Sequence, residues 1–152
     1  MAFAKPSLKG RALRYLAGRE HSRAELTRKL KTHEETPGEL TQVLDELEAK
    51  GFISEQRVAE SVLNRRSTRL GSGRIRQEMQ ALGLAPDTIA AALAPLKANE
   101  MARALAVWQK KFGPTPPADA AARARQMRFM ASRGFSTELI TRVMRTASDE
   151  TP

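Results

Sequence analysis

The chain reads as an all-α protein built from three tandem three-helix, helix-turn-helix-like repeats in an elongated array. Three observations predict this. First, of 152 residues 24 are Ala and 16 are Leu, whereas Val and Ile together number nine. Helix formers therefore dominate, and no long stretch alternates apolar and polar residues as a half-buried strand does. Second, helix caps and glycine stops recur along the chain. Third, Gly83-Leu84, two residues, Asp87 and Ile89 parallels Gly134-Phe135, two residues, Glu138 and Ile140. Such self-similarity marks tandem helical units, here of about 45 residues. The expected boundaries are 7–52, 53–96 and 97–147, with flexible termini at 1–6 and 148–152.

The elements follow in order. Leu8, Ala12, Tyr15 and Leu16 share one helical face, with Arg11 and Arg14 opposite, and Gly18 ends that helix. Ser22-Arg-Ala-Glu25 is a capping box, in which serine and glutamate each satisfy a free backbone N–H; it opens a helix bearing Leu26 and Leu30. Thr36-Pro37-Gly-Glu39 reads as a second box, with proline at the first helical position. Leu40, Val43, Leu44 and Leu47 form the next stripe, which stops at Gly51. Ser54 caps a helix with Val58, Val62 and Leu63, and Gly71-Ser-Gly73 breaks it. Ile75, Met79 and Leu82 lie on the next helix, up to Gly83. Pro86 and Asp87 open another with Ile89 and Leu93, which Pro95 ends. Met101, Leu105, Trp108 and Phe112 share a face before the rigid connector Gly113-Pro-Thr-Pro-Pro117. A helix through Met127 and Met130 stops at Gly134, and Ser136 caps the last, with Leu139, Ile140, Val143 and Met144 inward. Trp108 and the methionines at helical spacing belong to the core.

Composition narrows the function. With no cysteine, the chain has no disulfide, thiolate nucleophile or iron–sulfur site. His21 and His33 each lack a second ligand at metal spacing, so no metal and no cofactor is expected. The longest apolar run, Ile89 to Leu96, is interrupted by Pro95 and is far shorter than the roughly 20 residues of a membrane span. The N-terminus lacks the apolar region of a signal peptide, so a cytoplasmic monomer is expected. No catalytic constellation emerges. Glu34-Glu35 reads as a solvated turn, and Asp45 and Glu48 as a solvated helix face.

The net charge of +9 is unevenly spread. Residues 1–31 hold nine basic side chains, among them Arg14, Arg23, Arg28 and Lys29, against Glu20 and Glu25. Residues 32–53 hold one, Lys50, against six acids, with which Arg11 and Arg28 are placed to pair. Between Glu60 and Glu78 there is no acid, and Arg65, Arg66, Arg69, Arg74 and Arg76 fall in that run. Arg65 and Arg69 are four apart, hence neighbours on one helical face, where like charges repel until a polyanion relieves them. Arg125, Arg128 and Arg133 lie in another acid-free stretch. Arginine offers a planar fork to phosphate or carboxylate, so these clusters point to phosphates or an acidic surface. Aromatic residues do not interleave with them, which argues against a base-stacking platform.

Four segments carry a family resemblance. Ala12-Leu-Arg-Tyr-Leu-Ala-Gly-Arg-Glu20-His-Ser22-Arg-Ala-Glu25-Leu-Thr-Arg-Lys-Leu30, Gly51-Phe-Ile-Ser-Glu-Gln-Arg57-Val-Ala59, Gly73-Arg74-Ile75-Arg76-Gln77-Glu78-Met79 with Gly83, and Arg133-Gly134-Phe135-Ser136 with Ile140 resemble successive motifs of the RecX regulatory proteins. The resemblance runs from about residue 8 to residue 147. Val58 stands where that family usually has a large aromatic, and Ser54-Glu55 where an acidic pair is common. The resemblance implies a non-enzymatic regulator that lies along the groove of the RecA–DNA filament and hinders strand exchange, ATP turnover and co-protease activity. It marks Arg57, Arg74, Arg76 and Gln77 as motif positions. Arg57, near a helix start, also fits an inter-helix pair. The charge clusters leave two other readings open: a helix-turn-helix DNA-binding regulator, and a nonspecific binder of single- or double-stranded nucleic acid.

Overall fold

A computed structural model describes residues 5–149, with side chains through residue 146. Among the described residues there are nine α-helices: α1 (Leu8–Gly18), α2 (Arg23–Leu30), α3 (Glu39–Ala49), α4 (Glu55–Arg66), α5 (Ser72–Ala81), α6 (Pro86–Leu93), α7 (Glu100–Phe112), α8 (Ala120–Ser132) and α9 (Thr137–Asp149). A 3-10 turn, Lys31–His33, prolongs α2, and another, Ala94–Asn99, leads from α6 into α7. The termini expected to be flexible, 1–6 and 148–152, lie largely outside the described residues, and α9 continues through Asp149.

The helices pack in threes, α1–α3, α4–α6 and α7–α9, each group mutually in contact. Each group has its own core. The first is built on Leu8, Leu26, Leu30, Leu44 and Leu47, the second on Val58, Val62, Ile75, Met79 and Ile89, and the third on Trp108, Met130, Phe135, Ile140 and Met144. Trp108 is buried whole, and its Nε1–H donates to Gln126 Oε1 at 2.9 Å, so the one polar atom it takes inside is satisfied. Three small cores leave much surface. The chain exposes 9700 Å², against about 7600 Å² for a compact monomer of the same mass. The array is elongated.

Caps behave as the sequence predicts, with one exception. Ser22 and Glu25 form the reciprocal box, and Ser54 and Ser136 accept the backbone N–H three residues on. Thr36-Pro37-Gly-Glu39 forms no box. Gly38 is the N-cap, in a left-handed conformation (φ 88°), so Pro37 lies outside the helix. The Glu34 carboxylate caps α3 instead, accepting from Leu40 N–H at 2.8 Å, so it is not a merely solvated turn residue. The acids of α3 are not merely solvated either. Arg23 bonds Asp45 at 2.7 Å and lies 3.4 Å from Glu48, while Lys9 and Lys50 both reach Glu46 and hold its carboxyl at about 2. Lys9 and Arg23, rather than Arg11 and Arg28, pair with α3.

Consecutive repeats meet through the same two features. The helix-ending glycines Gly83 and Gly134 are left-handed, and Leu84 and Phe135 behind them plug the corner. A Cβ on Gly83 would lie 2.7 Å from Ala24 Cβ, in the first turn of α2. A Cβ on Gly134 would collide with the backbone N and the side chain of Arg74, in the first turn of α5. So the turn after the second helix of each repeat rests on the first turn of the second helix before it. α2, α5 and α8 follow one another as a broken spine.

The later joint is bonded through the backbone. Gly71 N–H donates to Arg133 O at 2.7 Å and Gly73 N–H to Gly134 O at 3.1 Å. The free donors of one helix start thus meet the free acceptors of another helix end. Glu100 Oε1 takes a further donor, Ser72 N–H, at 2.9 Å. Gly71-Ser-Gly73 is therefore a docking point as well as a break; only Gly71 lies outside α5. At the earlier joint the capping box already takes the Ser22 and Glu25 N–H groups at the start of α2. Side chains hold it instead: Arg57 Nε to Glu20 at 2.9 Å and Arg57 Nη2 to Gly51 O at 2.5 Å.

Two glycines make a paired test. Gly134→Ala places a side chain in a left-handed residue and in Arg74, and should lower stability by about 2 kcal/mol or more in urea unfolding. Gly18 is helical with open space around it, so Gly18→Ala should raise stability by about 0.5 kcal/mol. His21 supplies a second test. It is buried between Arg19 O, which pairs with Nδ1 at 3.1 Å, and Lys29 Nζ, 3.3 Å from Nε2, and burial pushes its pKa below 6.5. Below pH 6.5 the unfolded chain takes up a proton that the folded chain refuses, so stability falls as pH drops. His21→Gln should flatten the fall in stability as the pH drops below 6.5, by at most about 1.4 kcal/mol per unit. An unchanged slope would refute this origin.

Candidate functional site

The backbone joint between the second and third repeats also gathers basic side chains. Arg74 directly follows Gly73, and Arg133 directly precedes Gly134. Docking the glycines therefore brings both arginines to one place from far apart in sequence. They line a cleft of about 400 Å³ with Arg66, Leu70, Gln77 and Glu78. Arg74, Gln77 and Glu78 share a face of α5 because they lie three and four residues apart. Glu78 is the one carboxylate of the cleft; Arg66 Nε lies 3.2 Å from it and Arg65 4.0 Å.

A second cleft, of about 530 Å³, opens beside the first and shares Arg133. Arg69, Lys110 and Lys111 line it, over a floor of Ala106, Val107 and Phe129. The Phe129 ring carries two cations: the Arg133 guanidinium carbon lies 4.9 Å from its centroid and Lys111 Nζ 5.4 Å. Phe112 packs edge-on against it at 5.3 Å. Aromatic and basic residues interleave here after all, but only in space. Arg69 is not on the α4 face with Arg65, because the helix ends at Arg66; its Nη2 points back toward Arg65 O at 3.5 Å.

The joint rests on a half-buried pair in the first turn of α7. Arg103 Nε donates to Ser67 O at 3.1 Å and Nη2 to Leu70 O at 3.4 Å, closing the orphan carbonyls after α4. Glu100 lies 3.9 Å from the guanidinium and caps α5. Burial lowers the Arg103 pKa and Glu100 opposes that shift.

Other candidate residues stand apart. Arg14 is exposed on α1, and Arg28 on α2. Lys29 sits over the Tyr15 ring at 4.7 Å, beside His21. Arg23 is tied to Asp45 and Glu48, and these partners outweigh its desolvation and raise its pKa. Arg57 serves the earlier joint. Arg76 is exposed on another face of α5 from Arg74, and Arg125 and Arg128 are exposed along α8. Sequence reasoning missed Glu100, Arg103, Lys110, Lys111 and Phe129. The Glu100-Met-Ala-Arg103 spacing, a pair on one helical face in an alanine-rich segment, was the available signal for the first two.

The chain matches, in order, family models for the first, second and third three-helix domains of RecX, over residues 9–47, 54–93 and 98–144. The chain belongs to the RecX family. It is 52% identical over 144 residues to the regulatory protein RecX of Leptothrix cholodnii, covering 95% of this chain and 91% of that one. It is 50% identical over 141 residues to the regulatory protein RecX of Ralstonia nicotianae, covering 93% and 88%. The fold is also that of RecX from Lactobacillus salivarius, whose crystal structure superposes with a TM-score of 0.77 at 16% identity over 93% of this chain and 94% of that one. A crystal structure titled regulatory protein RecX gives 0.76 at 20% identity, over 94% and 72%. Among the described residues, no helix of this RecX-family chain is long and apolar enough to cross a membrane, and no cluster of side chains suits a metal ion.

The Arg103 hydrogen bonds predict a graded effect. Arg103→Ala leaves two half-buried carbonyls unmatched and should lower stability by about 2 kcal/mol in urea unfolding, whereas Arg103→Lys, which keeps the charge and one hydrogen bond, should cost about 1 kcal/mol. A harmless Arg103→Lys would assign the role to charge alone and refute the hydrogen-bonding role.

Proposed function

We propose that the chain is a regulator that binds the nucleoprotein filament of a RecA-type recombinase, lies along its helical groove, and restrains strand exchange, ATP turnover and co-protease activity. The carrying observation is the match of all three repeats, in order, to the domains of a family whose members are named regulatory proteins. The elongated array suits the proposal. Small modules on one chain engage a periodic partner at several points, and each further contact gains from the high effective concentration set by the first. The protein works as a non-enzymatic cytoplasmic monomer without cofactor or metal, and the exposed arginines of successive repeats, Arg14 and Arg28, Arg65 and Arg76, Arg125 and Arg128, face the filament.

The helix-turn-helix alternative has less support. In the second repeat the helix after the Gly83 turn, α6, contains no basic residue. It carries Asp87 in its first turn, and the Glu55 carboxylate accepts from Ala85 N–H and Thr88 at its start. That end repels DNA phosphates, where a recognition helix needs to approach them.

Co-sedimentation tests the proposal. The protein should pellet with recombinase–DNA filaments and suppress their ATP turnover at near-equal ratios. Arg65→Glu combined with Arg69→Glu should retain wild-type helical content while filament binding drops and loses part of its salt dependence. Tight binding to one duplex sequence without any effect on filaments would overturn the regulator reading.

A further inference from the structure

The two clefts at the joint between the second and third repeats share Arg133, so their basic groups form one band crossing from α5 to α7. Among the described residues, Arg69, Arg74, Lys110, Lys111 and Arg133 are in no ion pair with a carboxylate. This separates them from Arg19, Arg23, Arg57, Arg66 and Arg103, all of which have carboxylate partners within the chain. Five like charges held together by a rigid backbone joint repel one another, and an anion relieves that cost. A single carboxylate would satisfy one fork. A band spread over two clefts and two repeats matches a polymer with a charge on every unit.

We infer that this band binds the phosphodiester backbone of DNA, and that Phe129 is the positioning residue that presents Arg133 to it. Arg133 is the one cation common to both clefts, and a free arginine side chain would sample many rotamers. Stacking on the Phe129 ring at 4.9 Å restricts it, and Phe112, edge-on at 5.3 Å, restricts the ring in turn. Lys111 on the same ring is held likewise. Gln77 adds amide donors at the α5 side of the band. The ligand so named is the DNA of the filament proposed above, and free DNA tests it without the recombinase.

Fluorescence anisotropy of a labelled oligothymidylate over a range of salt reads the band. Arg74→Ala and Arg133→Ala should each weaken binding about five-fold, and each should flatten the log–log salt dependence by about 0.7 for every phosphate left without its cation. Phe129→Leu should weaken binding without removing a charge, and should have little further effect in a background carrying Arg133→Ala and Lys111→Ala, because it acts through those two side chains. Lys110→Ala, at an exposed lysine that does not stack on the ring, gives an independent reading that does not depend on the packing of Phe129. An undiminished effect of Phe129→Leu in that background would overturn the positioning role. Unchanged oligothymidylate binding in the arginine and lysine variants, with filament binding abolished, would show that the band reads acidic protein and overturn the DNA assignment. Filament binding absent in the wild type, with the oligonucleotide results as expected, would overturn the filament reading alone.

Discussion

One close approach organises the second half of the molecule: the backbone of Gly134 against the start of α5. Two main-chain hydrogen bonds there join repeats that share no hydrophobic core. Peptide groups can come that near only because Gly71, Gly73 and Gly134 have no side chains to interpose. Everything at the joint follows from this approach. It lets Glu100 reach the Ser72 N–H of α5, lets Arg103 close the carbonyls after α4, and sets Arg74 beside Arg133. Helix-end polarity adds to it, since the electropositive start of one helix faces the electronegative end of another.

The fold was largely legible because its signals are local. Ser22 with Glu25, Ser54, Ser136 and the stops at Gly51, Gly83 and Gly134 act within one turn of helix, and the apolar stripes name the cores. The failure at Thr36-Pro37-Gly-Glu39 was also local. A glycine free to adopt a left-handed conformation displaced the threonine, and a carboxylate six residues before Leu40 took its place. The joints were less legible. Gly71 and Gly73 read as punctuation, because nothing in their own segment shows that Arg133 and Gly134 supply their acceptors.

The site shows the same divide. Arg66, Arg74, Gln77 and Arg133 were found from composition and motif, and they do converge. Lys110, Lys111 and Phe129 were not, because the Lys111–Phe129 contact joins α7 to α8 across a proline-rich connector; only the four-residue spacing of Phe129 and Arg133 was local. Charge counting also could not separate exposed from committed arginines. Arg23 and Arg57 hold the first repeat and its joint, whereas Arg74 and Arg133 keep their forks toward open clefts.

The two joints differ in what solvent can do to them. The earlier is tied by Arg57 and Glu20, both partly exposed, at 44% and 32% of their side chains. Mobile ions screen such a pair readily. The later joint is closed by peptide groups, whose hydrogen bonds dissolved salt barely touches. Ionic strength thus acts on one end of the array and spares the other. The same repeat-to-repeat contact is made once with a tie that salt weakens and once with a tie that it does not.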